Sequence, residues 1–237
     1  MNNLIPKISV VMAVYNGEKY LKEAIESILS QTLSDFEFVI INDGSTDNSE
    51  NIVRSFNDER IKYFLKEHSG LIDSLNFGLK KARGEFIARF DADDVSLPNR
   101  LEKQLNFLIQ NPENFLVGTH AIKINELGEN TGEFIYPPIS WGEIKGYSLR
   151  HNPFIHPTVM FKKDIIEKVG NYRNFKNAED YELWTRVIYK YPCANIPEKL
   201  LKYRIHSEQI TKKGKSKMRL SGFKVRCLAL FRFLFTF

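Results

Sequence analysis

The chain has 237 residues, 43% hydrophobic and 27% charged, with no low-complexity tract or internal repeat, which fits one large α/β domain or one domain with an appendage. Its formal net charge of +5 gathers in the run 212–219, with Arg226 and Arg232 beyond; without zinc-finger spacing or an aromatic RNA-binding signature, nucleic acid is set aside in favour of an anionic substrate or surface. Cys193 and Cys227 have neither paired nor metal-type spacing and read as reduced thiols of a cytoplasmic protein, and the N-terminus lacks a signal-peptide pattern.

Residues 8–14 form a nearly continuous apolar run rich in β-branched side chains, which predicts a strand buried on both faces. Tyr15-Asn16-Gly17 stops it. Tyr20, Leu21, Ala24, Ile25, Ile28 and Leu29 then recur at helical spacing. A second strand over 36–41 closes at Asn42-Asp43-Gly44-Ser45, where Ser45 or Thr46 is suited to cap a helix through Ile52 and Val53. A third strand covers 61–65. Leu71, Ile72, Leu75, Leu79 and Ala82 line one helical face, a fourth strand covers 86–90, and Pro98 opens a helix carrying Leu101, Leu105 and Leu108. The second half is less regular. It reads as strands over 115–119 and 134–136, a helix over 141–150, a loop into a strand over 156–161, a helix over 179–189 with Leu183, Val187 and Ile188 inward, and a last strand over 200–205. The β-α alternation predicts an α/β fold with a mainly parallel sheet and helices on both faces. Such sheets bind ligands beyond the carboxyl ends of their strands, where Tyr15, Asn16, Asp43, Asp91 and Asp93 all fall.

The fourth strand runs into Asp91-Ala92-Asp93-Asp94. Three carboxylates that close repel one another unless a cation sits among them. The pattern therefore reads as an oxygen-ligand site for a hard ion such as Mg²⁺ or Mn²⁺, used together with a substrate phosphate. It also fits the nucleophile motif of haloacid dehalogenase-like phosphatases, with Asp91 as nucleophile, although those enzymes carry it on the first strand. An EF-hand loop starting at Asp91 is rejected, because Ser96 stands where its glycine belongs and Pro98 falls inside it. Plain structural readings compete elsewhere. Asp43-Gly44-Ser45 suits a turn and cap, and Glu179-Asp180 suits an acidic first helical turn. His156 reads as a loop histidine, Trp184 as packing rather than sugar stacking, and Arg100 and Lys103 as a solvated helix face, with Arg100 close enough to the acidic motif to pair with it.

The set resembles the family 2 glycosyltransferases, inverting enzymes with the GT-A (Rossmann-like) nucleotide-sugar fold. The matching pieces are residues 9–16, 39–47, Asn76-Phe77-Gly78, 84–87, Asp91-Ala92-Asp93-Asp94 and Glu179-Asp180, in order and spacing across residues 7–206. The resemblance implies a UDP-sugar donor, Mn²⁺ or Mg²⁺, and a glycan or lipid-linked glycan acceptor. Asp43 would accept from the base, with Ala13 to Tyr15 flanking it. Asp91 would lie near the ribose or diphosphate, Asp93 would ligate the metal with His206 near it, and Asp180 would be the catalytic base. A hexosyl- or N-acetylhexosaminyl-transferase is expected, with a catalytic domain over 1–210 (nucleotide-binding half about 1–110, acceptor half about 111–210). The alternatives are the Asp91 phosphatase and an inactive nucleotide-sugar-binding module. The tail 211–237 is basic and apolar, and too short and charged for a confident membrane span. It suits either an amphipathic helix in the membrane interface, giving a peripheral enzyme on the inner face of the cell membrane, or a terminal helix that packs on the domain or pairs with another copy.

Overall fold

A computed structural model describes residues 5–209 and 215–235, without the side chains of 215–219, so the basic run 212–219 lies outside the described side chains. β1 (Ile8–Val14), β2 (Phe36–Asn42), β3 (Ile61–Leu65) and β4 (Phe86–Arg89) pair in parallel in the order β3-β2-β1-β4. β2 is buried along its whole length, as its apolar sequence requires. Helix α1 (Glu18–Leu29) covers one face, packing Leu21, Ala24, Ile25 and Ile28 with Val10 and Met12, and α2 (Ser49–Arg54) adds Val53 to the same cluster. Helix α3 (Leu71–Lys81) covers the other face, packing Leu75 and Leu79 with Val11, Val39 and Ile41. The split of β1 into Val10/Met12 and Val11 is the two-residue period of a strand. A Cβ at Gly78 would stand 2.6 Å from Val11 Cγ1, so glycine lets α3 lie this close to the sheet.

The second half contributes β5 (Val95–Ser96), α4 (Arg100–Gln110), β6 (Leu116–Ile124), β7 (Asn130–Ile135), α5 (Trp141–Tyr147), β8 (Met160–Lys162), α6 (Lys163–Val169), α7 (Glu179–Ile188) and β9 (Cys193–Arg204). The sheet continues from β4 as β8-β6-β9-β5, with β7 on β6. Only β6 and β9 are parallel here; the β4–β8, β6–β8, β6–β7 and β5–β9 pairs are antiparallel. This is the GT-A type of α/β architecture.

Several expectations are corrected. Ser45 and Thr46 cap no helix: α2 begins at Ser49 after Asn48. Helix α5 stops at Tyr147, short of residue 150, and β9 starts at Cys193, well before Leu200. Helix α6, closed by Gly170 at φ +92°, has no counterpart among the expected elements. Trp184 is fully buried against Phe154, Phe161 and Tyr172, so it packs and cannot stack on a sugar.

The tail is a helix, α8 (Lys215–Phe235), docked on α7. Val225 and Ala229 are buried, Arg232 donates to Thr185 and to Glu182, and Phe233 meets Tyr189 edge-on. Leu220, Phe223, Leu230, Phe231 and Leu234 stay exposed. Among the described residues, no helix is long and apolar enough to cross a membrane.

Candidate active site

The loops after β1 and β2 are tied together. Asn16, at φ +50°, accepts from the Thr46 N–H at 2.8 Å and donates its own N–H to Ser45 Oγ at 3.0 Å. Asp47 accepts from the Glu18 N–H at 2.9 Å, and Glu18 accepts from the Asn48 N–H at 2.9 Å. The polar residues after Asp43 thus brace the strand ends instead of capping a helix.

Asp43 lies at the end of β2 with its carboxylate almost fully buried. It accepts the Ser69 N–H at 3.0 Å and the Gly70 N–H at 2.8 Å, pairs with Lys66, and has His68 Nδ1 at 2.9 Å. Burial opposes its ionisation, but the Lys66 and Ser69 hydrogen bonds outweigh burial and hold its pKa below the usual carboxylate range. Tyr15 and His68 stack with centroids 4.1 Å apart. Ala13, Tyr15, Asp43, Asp91, Asp93 and His206 all line one cavity of about 610 Å³.

Asp180 does not line that cavity. It lines an adjoining one of about 360 Å³, together with Arg89, His156 and Glu179, and Asp91 and Asp93 belong to both. One acidic wall therefore separates the chamber of Asp43 from that of Asp180. Asp180 is the second residue of α7 and accepts from Asn152 Nδ2 at 2.6 Å and from the Tyr181 N–H at 2.7 Å. Burial raises its pKa above the usual carboxylate range. Glu179 beside it is pushed to about 7 by burial and by the Asp180 charge. His156 bonds Tyr172 Oη at 2.8 Å and is held neutral by burial and the nearby Arg89 charge.

Asp91, Asp93 and Asp94 each offer an oxygen within 4.8 Å of the others. His206 Nε2 stands 2.8 Å from Asp93 Oδ2. Asp94 accepts the Arg204 N–H at 2.8 Å, while its Oδ2 is buried with no hydrogen-bond partner among the described residues. Burial and the neighbouring Asp93 and Asp91 charges push Asp94 well above its ordinary pKa. An all-oxygen cluster with an orphaned buried oxygen fits a hard divalent cation.

One arginine of the site went unread, and a second was placed wrongly. Arg89 is buried, pairs with Asp91, and keeps its Nε without a hydrogen-bond partner among the described residues. Its signal was a cation inside the apolar run 86–90. Arg100 is not on a solvated face. It is fully buried, donates to the Arg89 carbonyl at 2.7 Å and to Gln104 at 3.0 Å, and is lowered to about 9 by burial. Lys103 is partly exposed and pairs with Glu198.

The sequence profile of Glycosyl transferase family 2 matches residues 9–170. This chain belongs to that family. Family 2 membership also removes the phosphatase alternative, since Asp91 follows the fourth strand and is engaged by Arg89. The O-antigen biosynthesis glycosyltransferase WbnJ of Escherichia coli is 39% identical over 229 residues, covering 94% of this chain and 89% of the relative. The amylovoran biosynthesis glycosyltransferase AmsE of Erwinia amylovora is 34% identical over 211 residues, covering 86% and 79%. In fold, S. aureus TarS 1–349 in complex with UDP-GlcNAc matches with a TM-score of 0.75 at 20% identity over 97% of this chain and 73% of that one. The Pyrobaculum calidifontis mannosyltransferase PcManGT, in complex with GDP-Man and Mn²⁺, matches at 0.70 and 19% over 94% and 64%.

Proposed function

We propose that this glycosyltransferase moves a sugar with inversion from a nucleotide donor, a UDP-hexose or UDP-N-acetylhexosamine, to a hydroxyl of a growing surface glycan. One observation carries the reading: the Asp91–Asp93 wall is common to the chamber holding Asp43 and the chamber holding Asp180. The UDP-GlcNAc and GDP-Man complexes of the fold relatives support a nucleotide-sugar donor, and the names of WbnJ and AmsE support a polysaccharide acceptor.

Asp43 and Tyr15 hold the base. Asp93, with Asp91 and Asp94 beside it and His206 against it, would hold Mn²⁺ or Mg²⁺, which supplies Lewis-acid stabilisation for a departing diphosphate. Asp180 Oδ takes the proton of the acceptor hydroxyl while that oxygen attacks the anomeric carbon from the face opposite the leaving group. Asn152 and the Tyr181 N–H orient that carboxylate. Arg89 offsets the charge of Asp91 and Asp180 so that the base stays ionised. The catalytic unit is residues 1–210, with the donor half about 1–110 and the acceptor half about 111–210.

A panel of nucleotide sugars, screened for Mn²⁺-dependent binding and slow hydrolysis, tests the reading. Asp93→Ala should lose the metal-dependent binding; binding that survives unchanged would remove Asp93 from the metal site. We place the exposed apolar face of α8, with Arg226, against the inner face of the membrane. Flotation with anionic vesicles that Phe231→Glu does not weaken would end that part of the proposal.

A further inference from the structure

A second groove, of about 770 Å³, lies outside the two chambers. It runs between the segment after β7 and helix α5. Tyr136 and Tyr147 stand on it, 61% and 43% exposed. Each is set by a neighbouring ring: Tyr136 meets His120 edge-on at 5.1 Å, and Tyr147 tilts against His151 at 5.1 Å. Pro137 and Pro138 line the groove and restrict the local backbone, so the shape is preformed.

The groove neighbours the acceptor chamber along the chain, at two places. Ile135 lines that chamber and the next residue, Tyr136, lines the groove; Asn152, the partner of Asp180, lines the chamber and the preceding residue, His151, lines the groove. His120 is buried, with 7% exposure. Its ring hydrogen-bonds the Pro137 backbone and leaves one nitrogen, Nε2, without a partner among the described residues. Such a group costs free energy until something fills it. Arg150 also lines the groove, exposed at the surface.

Exposed aromatic faces with polar groups between them match a chain of pyranose rings, whose C–H faces are apolar and whose edges carry hydroxyls. We propose that this groove binds the saccharide chain of the acceptor behind the hydroxyl that reacts at Asp180. The inference rests on the glycosyltransferase reading above and deepens it. It assigns acceptor recognition to the segment after β7 and to α5, apart from the residues that hold the donor.

The test uses the full chain on a printed array of oligosaccharides of increasing length, with Mn²⁺-dependent UDP binding measured on the same samples. Tyr136→Ala/Tyr147→Ala should lower the array signal about tenfold, the size expected when two ring contacts go. Tyr136→Phe/Tyr147→Phe should retain it. Gly146→Leu is a second probe: a Cβ there meets nothing within 4 Å, so the new side chain fills the groove from an uncrowded position. It should lower the signal without touching either tyrosine. An array signal that neither change moves overturns the proposal, as does a chain that binds UDP and no oligosaccharide. A chain that binds no nucleotide overturns the donor reading instead, and the array then decides the groove by itself.

Discussion

The donor chamber and the acceptor chamber are built by different means. The donor side is assembled from loops that follow neighbouring parallel strands, and its ties join Asn16 to Ser45 and Thr46, and Glu18 to Asn48. The acceptor side is assembled from irregular segments of the second half, with one tie back to α3. Asn152 orients Asp180, His156 bonds Tyr172, and Tyr172 exchanges two 3.0 Å bonds with Asn76. A chamber made by a repeated β-α unit is fixed by the sheet itself. A chamber made by irregular segments is fixed by single side-chain contacts, and so it should be the more sensitive of the two to single substitutions.

The largest effect should come from Asp180→Asn. Loss of a positioned base lowers transfer by about 10²–10⁴-fold. Donor binding, measured by calorimetry with Mn²⁺, should persist, because Asp180 lines only the acceptor chamber. Transfer near the normal rate would take the base role away from Asp180.

Arg89→Leu comes next. It leaves Asp91 beside Asp93 without its buried partner, and breaking a buried pair costs about 3–5 kcal/mol. Denaturant unfolding should show that loss, and a stability unchanged within error would mean that Arg89 is not the counter-charge of the wall.

A smaller change separates the two adjacent acidic residues at the start of α7. Burial raises the Asp180 carboxyl, so the rate should fall on acidification at a pH above the ordinary carboxylate range. The sign follows because the ionised form is the working base, lost as pH drops through the raised value. Glu179→Gln removes a like charge and should move that acidic limb to lower pH. A limb that stays fixed in a pH–rate profile would show that the two groups titrate independently.

The smallest effect belongs to the donor side. Ser45→Ala removes one tie to Asn16 and should cost about 0.5–1.5 kcal/mol. Thermal unfolding reads it. A much larger loss would show that the donor loops depend on single contacts as the acceptor side does.

The same contrast explains what could be read from the chain. The runs 8–14, 36–41 and 61–65 are apolar and punctuated, and the folded strands follow them closely. That Asp43, Asp91 and Asp93 would line one cavity was legible because a parallel sheet brings its strand ends together. The base role proposed for Asp180 comes from resemblance alone, since nothing in its helix separates a base from an acidic first turn. Arg100 was misread because Glu102 and Lys103 beside it make the turn look solvated, while burial here is decided by a hydrogen bond to the Arg89 carbonyl. Ser45 and Thr46 were misread because the same hydroxyl chemistry serves a cap or a loop tie, and only the nearness of Asn16 chooses. Asn152 depends on a contact with Asp180 on another element, and Arg89 on burial beside Asp91, and periodicity encodes neither.

Asp91 and Asp93 face both chambers, so neither side can be recharged alone. Filling the nucleotide chamber with a cation and a diphosphate changes the field felt by an acceptor next door. Steady-state kinetics should therefore show compulsory order, donor first, with nucleoside diphosphate competing against donor and leaving last.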